Sequence, residues 1–284
     1  MSNERIAAVT GANGLVGGIA CDALVDAGFR TRRLVRRPEA GSEDRHFVLG
    51  CEVAPEELSG VDVLVHCAYD MKVTGRREVW ETNVFGTRLL LDAAVAAGVR
   101  RTIVISSMSA YPGTRQLYGR AKLAAEMDAR SRGALSVRLG LVYGERWGGM
   151  AGVLRRLAST PMVLIICPRS HQFTTHEADL AAAFRRLATG GVLPEGPLGL
   201  AHPEPQAFAT ILRAFSKRGN PPILVPIPWR AVYAVIRLAE LSRMPLPVRA
   251  DSVLGLARPG STLPGAEHHA ALGLRFRQLA PPPT

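Results

Sequence analysis

The segment Ile6-Ala-Ala-Val-Thr10-Gly11-Ala-Asn13-Gly14-Leu15-Val16-Gly17 constrains this chain more than any other. A short apolar run, Ile6 to Val9, meets three glycines at three-residue intervals, and an apolar helical pattern follows at once. That order reads as a strand, a glycine turn and a helix start. A helix N-terminus offers unpaired N–H groups and the positive end of its dipole, which suit a pyrophosphate. In this reading Gly11 permits the tight turn, Gly14 lets phosphates approach the backbone, and Gly17 lets the helix pack closely. The spacing is G-x-x-G-x-x-G, so the usual dinucleotide fingerprint is not matched literally. Its place at a strand-to-helix junction carries the reading.

Apolar strand patterns fall at 5–10, 31–36, 46–49, 61–67, 101–107 and 134–142, and helical patterns at 15–28, 76–98, 116–132, 179–189 and 229–241. This alternation predicts an α/β fold, a Rossmann-type doubly wound parallel sheet. Beyond residue 145 the pattern is less regular and rich in proline. We therefore expect a Rossmann core from 1–144 and 176–199, a smaller C-terminal substrate-binding lobe from 145–175 and 200–275, and a flexible tail over 276–284 ending Pro281-Pro282-Pro283.

Tyr118-Gly-Arg-Ala-Lys122 places a phenol and an ammonium four residues apart, on one face if the segment is helical. The chain has only three lysines, nearly all its positive charge being arginine, so the match carries weight. A compact ammonium about 4 Å from a phenolate contributes roughly 4 kcal/mol at an effective dielectric of about 20. A tyrosine so placed can exchange a proton with an alcohol or carbonyl oxygen. Upstream, Arg101-Thr-Ile-Val-Ile-Ser-Ser107 is an apolar strand ending in serines, eleven residues before Tyr118. Ligands in parallel sheets sit at the carboxyl ends of strands, so the Ser107 hydroxyl could reach the reacting oxygen.

Together these motifs resemble the short-chain dehydrogenase/reductase superfamily, in its extended branch of epimerase/dehydratase-like proteins. Further matches are Asp62-Val-Leu-Val-His66-Cys67-Ala68, Asn83 in Glu-Thr-Asn-Val-Phe-Gly-Thr, Val137-Arg-Leu-Gly-Leu141-Val-Tyr143-Gly144 and Thr175-His-Glu-Ala-Asp179-Leu-Ala. The resemblance implies that Tyr118 is the general acid/base. It implies that Lys122 holds the nicotinamide ribose while lowering the tyrosine pKa, and that Ser107 orients the substrate oxygen. It places cofactor contacts at Gly11, Asn13, Gly14, Leu15, Val16, Gly17, Cys67, Ala68 and Lys122. Asn83, Met108, Leu141 and Tyr143 are candidates on the substrate side, with Asn83 supporting a helix bend or a relay water. Three positions depart from the family pattern. Leu141 stands where an Asn can help hold a sugar-nucleotide diphosphate, Cys51 where an Asp contacts adenine, and Ala178 where the later element has an Asp. Dimerisation through the helices at 76–98 and 116–132 is implied by the family alone.

The second strand ends Arg36-Arg37-Pro38, with no carboxylate until Glu39. NAD sites usually carry an Asp or Glu here, which accepts from the ribose 2′-OH. A guanidinium suits a 2′-phosphate instead. NADP(H) is therefore the expected cofactor, with NAD(H) as the other possibility and Arg36 as the main contact, beside Arg37.

Composition sets outer limits. Four cysteines without a Cys-x-x-Cys pair read as thiols of a reducing cytoplasm, and seven scattered histidines offer no metal-ligand spacing. No stretch reaches about 20 apolar residues, so no membrane span is expected. The net charge of +11 draws anionic cofactors and substrates, while 6% aromatic content argues against nucleic-acid binding. The function expected is an NADP(H)-dependent oxidoreductase acting on a carbonyl or alcohol of a carbohydrate-like small molecule, such as a nucleotide-activated keto-sugar. The alternatives are a redox-neutral sugar epimerase or dehydratase that retains NAD(P), and a non-catalytic NADP-binding regulator.

Overall fold

A computed structural model describes residues 4–216, 221–242, 244 and 249–280. In chain order it contains β1 (Ile6–Thr10), α1 (Leu15–Asp26), β2 (Arg30–Val35), β3 (Arg45–His46), β4 (Val61–His66), α2 (Arg76–Val79), a π-helical turn (Trp80–Phe85), α3 (Gly86–Ala96), β5 (Arg101–Ser107), α4 (Leu117–Arg130), β6 (Leu135–Leu139) and β7 (Leu141–Tyr143). Next come α5 (Gly149–Ala158), β8 (Met162–Ile165), β9 (His171–Gln172), β10 (Thr174–His176), α6 (Glu177–Thr189), β11 (Leu198–Leu200), β12 (Gln206–Ala207), α7 (Phe208–Ala214), β13 (Ile223–Pro226), α8 (Trp229–Leu241) and α9 (Ala250–Ala257).

Seven parallel strands form the main sheet in the order β3-β2-β1-β4-β5-β6-β11. The strand order reverses between β1 and β4, which opens a crevice at their carboxyl ends. Period-2 alternation explains the two layers of core. Ala7, Val9, Val63 and Val65 point to one face and pack with Ile19, Ala23, Phe184 and Leu187. Ala8 and Leu64 point to the other and pack with Leu34, Leu90 and Ala94.

The elements depart from the sequence patterns in four places. The apolar run 134–142 is two strands: β6 stays in the main sheet, while β7 leaves it to pair with β10. The break falls at Gly140, where a Cβ would press on the Phe173 carbonyl at 2.6 Å. The helix at 76–98 is interrupted by the π turn. β11 adds a seventh strand that the apolar pattern did not reveal, because it is only three residues long. The chain is also anchored beyond 276. Arg277 donates from its backbone and side chain to Asp179, and Leu279 is buried in a separate apolar cluster with Tyr143, Leu154 and Phe215. The expected tail is thus tied down as far as Leu279, and residues 281–284 lie outside the described residues.

The irregular half of the chain builds small two-stranded sheets, β8 with β13 and β9 with β12, together with helices α5, α7, α8 and α9. Among the described residues no helix is long and apolar enough to cross a membrane.

Candidate active site

The glycine turn has the geometry its sequence demands. Gly11 adopts φ +64°, and a Cβ there would stand 2.8 Å from the Ala68 backbone nitrogen. At Gly17 a Cβ would run into the Gly11 carbonyl, so helix α1 can start only where a side chain is missing. Gly14 caps α1 without a side-chain hydrogen bond, and no acidic residue occupies the first turn. The positive end of the helix dipole beside Leu15 and Val16 therefore carries no side-chain anion from its own first turn.

At the end of β2, Arg36 and Arg37 are exposed, one strand away from the glycine turn. Arg33, which the sequence reading did not select, donates to the side-chain oxygen of Asn13. It thus ties β2 to the turn. The signal for it was period 2: Arg33 follows Thr31 on the same face, in register with Val9.

Lys122 and Tyr118 lie on the first turns of α4, and Ser107 ends β5. Ser107 lies against Tyr118, and the Tyr69 ring touches both Tyr118 and Lys122. The Ser107 hydroxyl beside the Tyr118 phenol favours its ionisation, but burial outweighs it and pushes the phenol pKa up. The expected lowering by Lys122 is not what this structure shows. The Lys122 ammonium donates to the Ile105 carbonyl at 2.7 Å and sits over the Tyr69 ring at 4.7 Å. Its own pKa falls to about 8, because burial disfavours the cation.

Tyr69 is the residue that sequence reasoning missed. Its ring meets Tyr118 edge-on, with centroids 5.0 Å apart, while its face covers Lys122. It stands directly after Cys67-Ala68, where a one-residue extension of the β4 signature would have included it. Burial holds its phenol well above the usual tyrosine range.

The other candidates are placed differently. Asn83 is buried in the π turn, where its carboxamide oxygen accepts from the Asp70 N–H at 2.7 Å and its nitrogen donates to the Asp70 carbonyl at 3.2 Å. The amide is thus engaged in holding the helix bend to the β4 loop. Tyr143 belongs to the apolar cluster that holds Leu154 and Leu279, packed against His176 and Phe215. Leu141 is half-buried on β7, and Met108 is half-buried, its N–H bonded to the Leu139 carbonyl. Cys67 is half-buried, with its thiol pKa raised by burial, and Ala68 donates its N–H to Thr10 Oγ1.

Comparison with known proteins gives the same picture. A family model described as the NAD dependent epimerase/dehydratase family matches residues 7–160. The ceramide reductase of Caulobacter vibrioides is 30% identical over 201 residues, covering 66% of this chain and 63% of that protein. A 4-hydroxy-2-methyl-3-oxo-4-farnesyl-3,4-dihydroquinoline-1-oxide ketoreductase of Stigmatella aurantiaca is 33% identical over 121 residues, 38% of this chain and 35% of that protein. The chain thus matches less than two thirds of the length of these curated relatives. Among solved structures, MoeE5 in complex with UDP-glucuronic acid and NAD superposes with a TM-score of 0.70 at 21% identity, covering 96% of this chain and 94% of that one.

Proposed function

We infer that this chain, which belongs to the NAD dependent epimerase/dehydratase family, works as an NADP(H)-dependent oxidoreductase on a carbonyl or alcohol. The observation that carries this reading is the meeting of Ser107, Tyr118 and Lys122 at the carboxyl ends of the parallel strands. A dinucleotide bound there would supply or accept the hydride. The first turn of α1 would hold the pyrophosphate, and the exposed Arg36, with Arg37 beside it, would contact a ribose 2′-phosphate. Lys122 would bind the nicotinamide ribose. Tyr118 is kept as a phenol by burial and donates its proton to the carbonyl oxygen, which Ser107 holds by a hydrogen bond. In the reverse direction Tyr118 takes the alcohol proton.

A carbohydrate-like substrate is one reading of the C-terminal lobe. A ketone on an apolar scaffold is the second, and Leu141 favours it by putting a methyl-rich side chain where a diphosphate would want a donor. The names of the ceramide reductase and of the farnesyl-dihydroquinoline ketoreductase point the same way. Net reduction is favoured over redox-neutral epimerisation by the Arg36-Arg37 pair, because NADPH is a reductant exchanged at each turnover.

The test is the nucleotide released from the purified protein on denaturation, together with NADPH and NADH affinities. An empty protein that prefers NADPH supports the reductase. Tightly retained NAD(P) supports the epimerase or dehydratase. Loss of substrate turnover in Tyr118→Phe separates either enzyme from a regulator, whose nucleotide and partner binding would survive that change.

A further inference from the structure

Helix α4 carries Tyr118 and Lys122, yet its own sequence does not cap it. Gln116 stands at the N-cap and makes no side-chain capping bond. The cap comes from 134 residues away. One carboxylate oxygen of Asp251, in the first turn of α9, accepts from the Leu117 N–H at 2.7 Å, and the other accepts from the Tyr118 N–H at 3.1 Å. The Asp251 carbonyl also accepts from the Gln116 side chain at 3.0 Å. Further along, Tyr111 donates to the Arg258 carbonyl at 2.7 Å. The segment 249–260 thus lies across the loop between β5 and α4. Its contact is tight: a Cβ on Gly255 would collide with the Gln116 carboxamide, and one on Gly260 would stand 2.8 Å from the Met108 carbonyl. Helix α9 is held in turn by α8, whose Glu240 accepts from the Ala250 N–H at 2.9 Å. Helices α4 and α9 therefore both lack a side-chain cap of their own and take a carboxylate from another helix, α4 from α9 and α9 from α8.

We propose that Asp251 is a positioning residue, through which the C-terminal lobe fixes the first turn of α4 and so the direction in which Tyr118 presents its phenol. The carboxylate bonds the N–H of Tyr118 itself, so any movement of α9 is transmitted to that residue without an intermediary. The functional weight of this proposal rests on the reading of Tyr118 as the acid/base; the geometry does not.

Ring resonances of isotope-labelled tyrosine in the full chain test it, with Tyr118 assigned by Tyr118→Phe. Asp251→Ala should abolish the single sharp Tyr118 line and disturb Tyr69, its edge-on partner, while leaving Tyr143 in its apolar cluster unchanged. Asp251→Asn keeps one acceptor and sets its NH2 against the other N–H, so it should restore the line only in part. Gly255→Ala, which pushes α9 off Gln116 without touching the carboxylate, should reproduce the loss, and it decides the matter if Asp251→Ala does not fold. An unmoved Tyr118 line in these variants overturns the proposal. So does equal broadening of every tyrosine, which would mean general loosening. Unimpaired turnover in Tyr118→Phe would instead dismiss the acid/base reading and leave the positioning result standing.

Discussion

Thr10 Oγ1 and His66 Nδ1 lie 2.7 Å apart at the paired ends of β1 and β4, and the bond between them has one possible direction. Thr10 Oγ1 already accepts from the N–H groups of Cys67 and Ala68, so its own proton goes to His66. The histidine is then an acceptor at Nδ1 and donates from Nε2 to Thr87 Oγ1 at 2.9 Å, and Thr87 donates to the Asn83 carbonyl at 2.7 Å. This buried relay joins the strand that precedes the glycine turn to the π turn. Neutral His66 is required throughout, and burial lowers its pKa from 6.5 to about 3.

His66→Leu should cost about 2–4 kcal/mol, since the Thr10 and Thr87 hydroxyls lose their buried partner. The relay also predicts acid lability. The unfolded chain binds a proton near pH 6.5 and the folded one only near 3, so this contribution is complete above about 6.5 and is lost as pH falls toward 3. Its slope is about 1.4 kcal/mol per pH unit. Urea unfolding of both proteins across that window checks it; an identical slope in His66→Leu sinks the assignment.

Tyr118→Phe should lower the rate of hydride transfer by about 100- to 10,000-fold with little change in NADPH affinity. Lys122→Met should weaken both. Because the Lys122 pKa lies at about 8, its ammonium is lost as pH rises through that value. NADPH affinity should decline there in the parent and stay flat in Lys122→Met, as fluorescence titration would show.

Arg36→Asp should shift the ratio of NADPH to NADH dissociation constants by about 10- to 100-fold toward NADH, the worth of one or two charge-assisted hydrogen bonds plus a new repulsion. An unchanged ratio would end the NADP assignment.

Glu126 and Arg138 form a buried two-point ion pair, with bonds of 2.8 and 2.7 Å, and Ser106 donates to the same carboxylate. Glu126→Gln should destabilise by about 3–5 kcal/mol, because it leaves the guanidinium uncompensated. Replacing the pair together by Leu and Met should cost far less. Equal losses in the single and double variants would show that packing, not charge, is at stake.

Removal of residues 276–284 should lower stability by about 1–3 kcal/mol, through loss of the buried Leu279 side chain and of the Arg277 bonds to Asp179. Because Arg277 is half-exposed, its ion pair supplies the smaller part. A denaturation midpoint that does not move would return 276–280 to the status of a loose tail.

Periodicity and turn chemistry are local, and they sufficed for the strand–turn–helix at Gly11, for the parallel sheet and for the face shared by Tyr118 and Lys122. Each depends only on residues a few places apart along the chain. What the tertiary structure alone decided involves partners far apart in sequence. Tyr69 reaches Lys122 only because α4 packs on β5, the strand beside β4. The ammonium of Lys122 turns to the Ile105 carbonyl, and burial raises the Tyr118 pKa where the i, i+4 spacing alone suggested a lowering. The departure of β7 from the sheet is set by the approach of Phe173 to Gly140, and the cap on α4 comes from Asp251. No window of sequence contains both members of such a pair, so their geometry had to come from the packed chain.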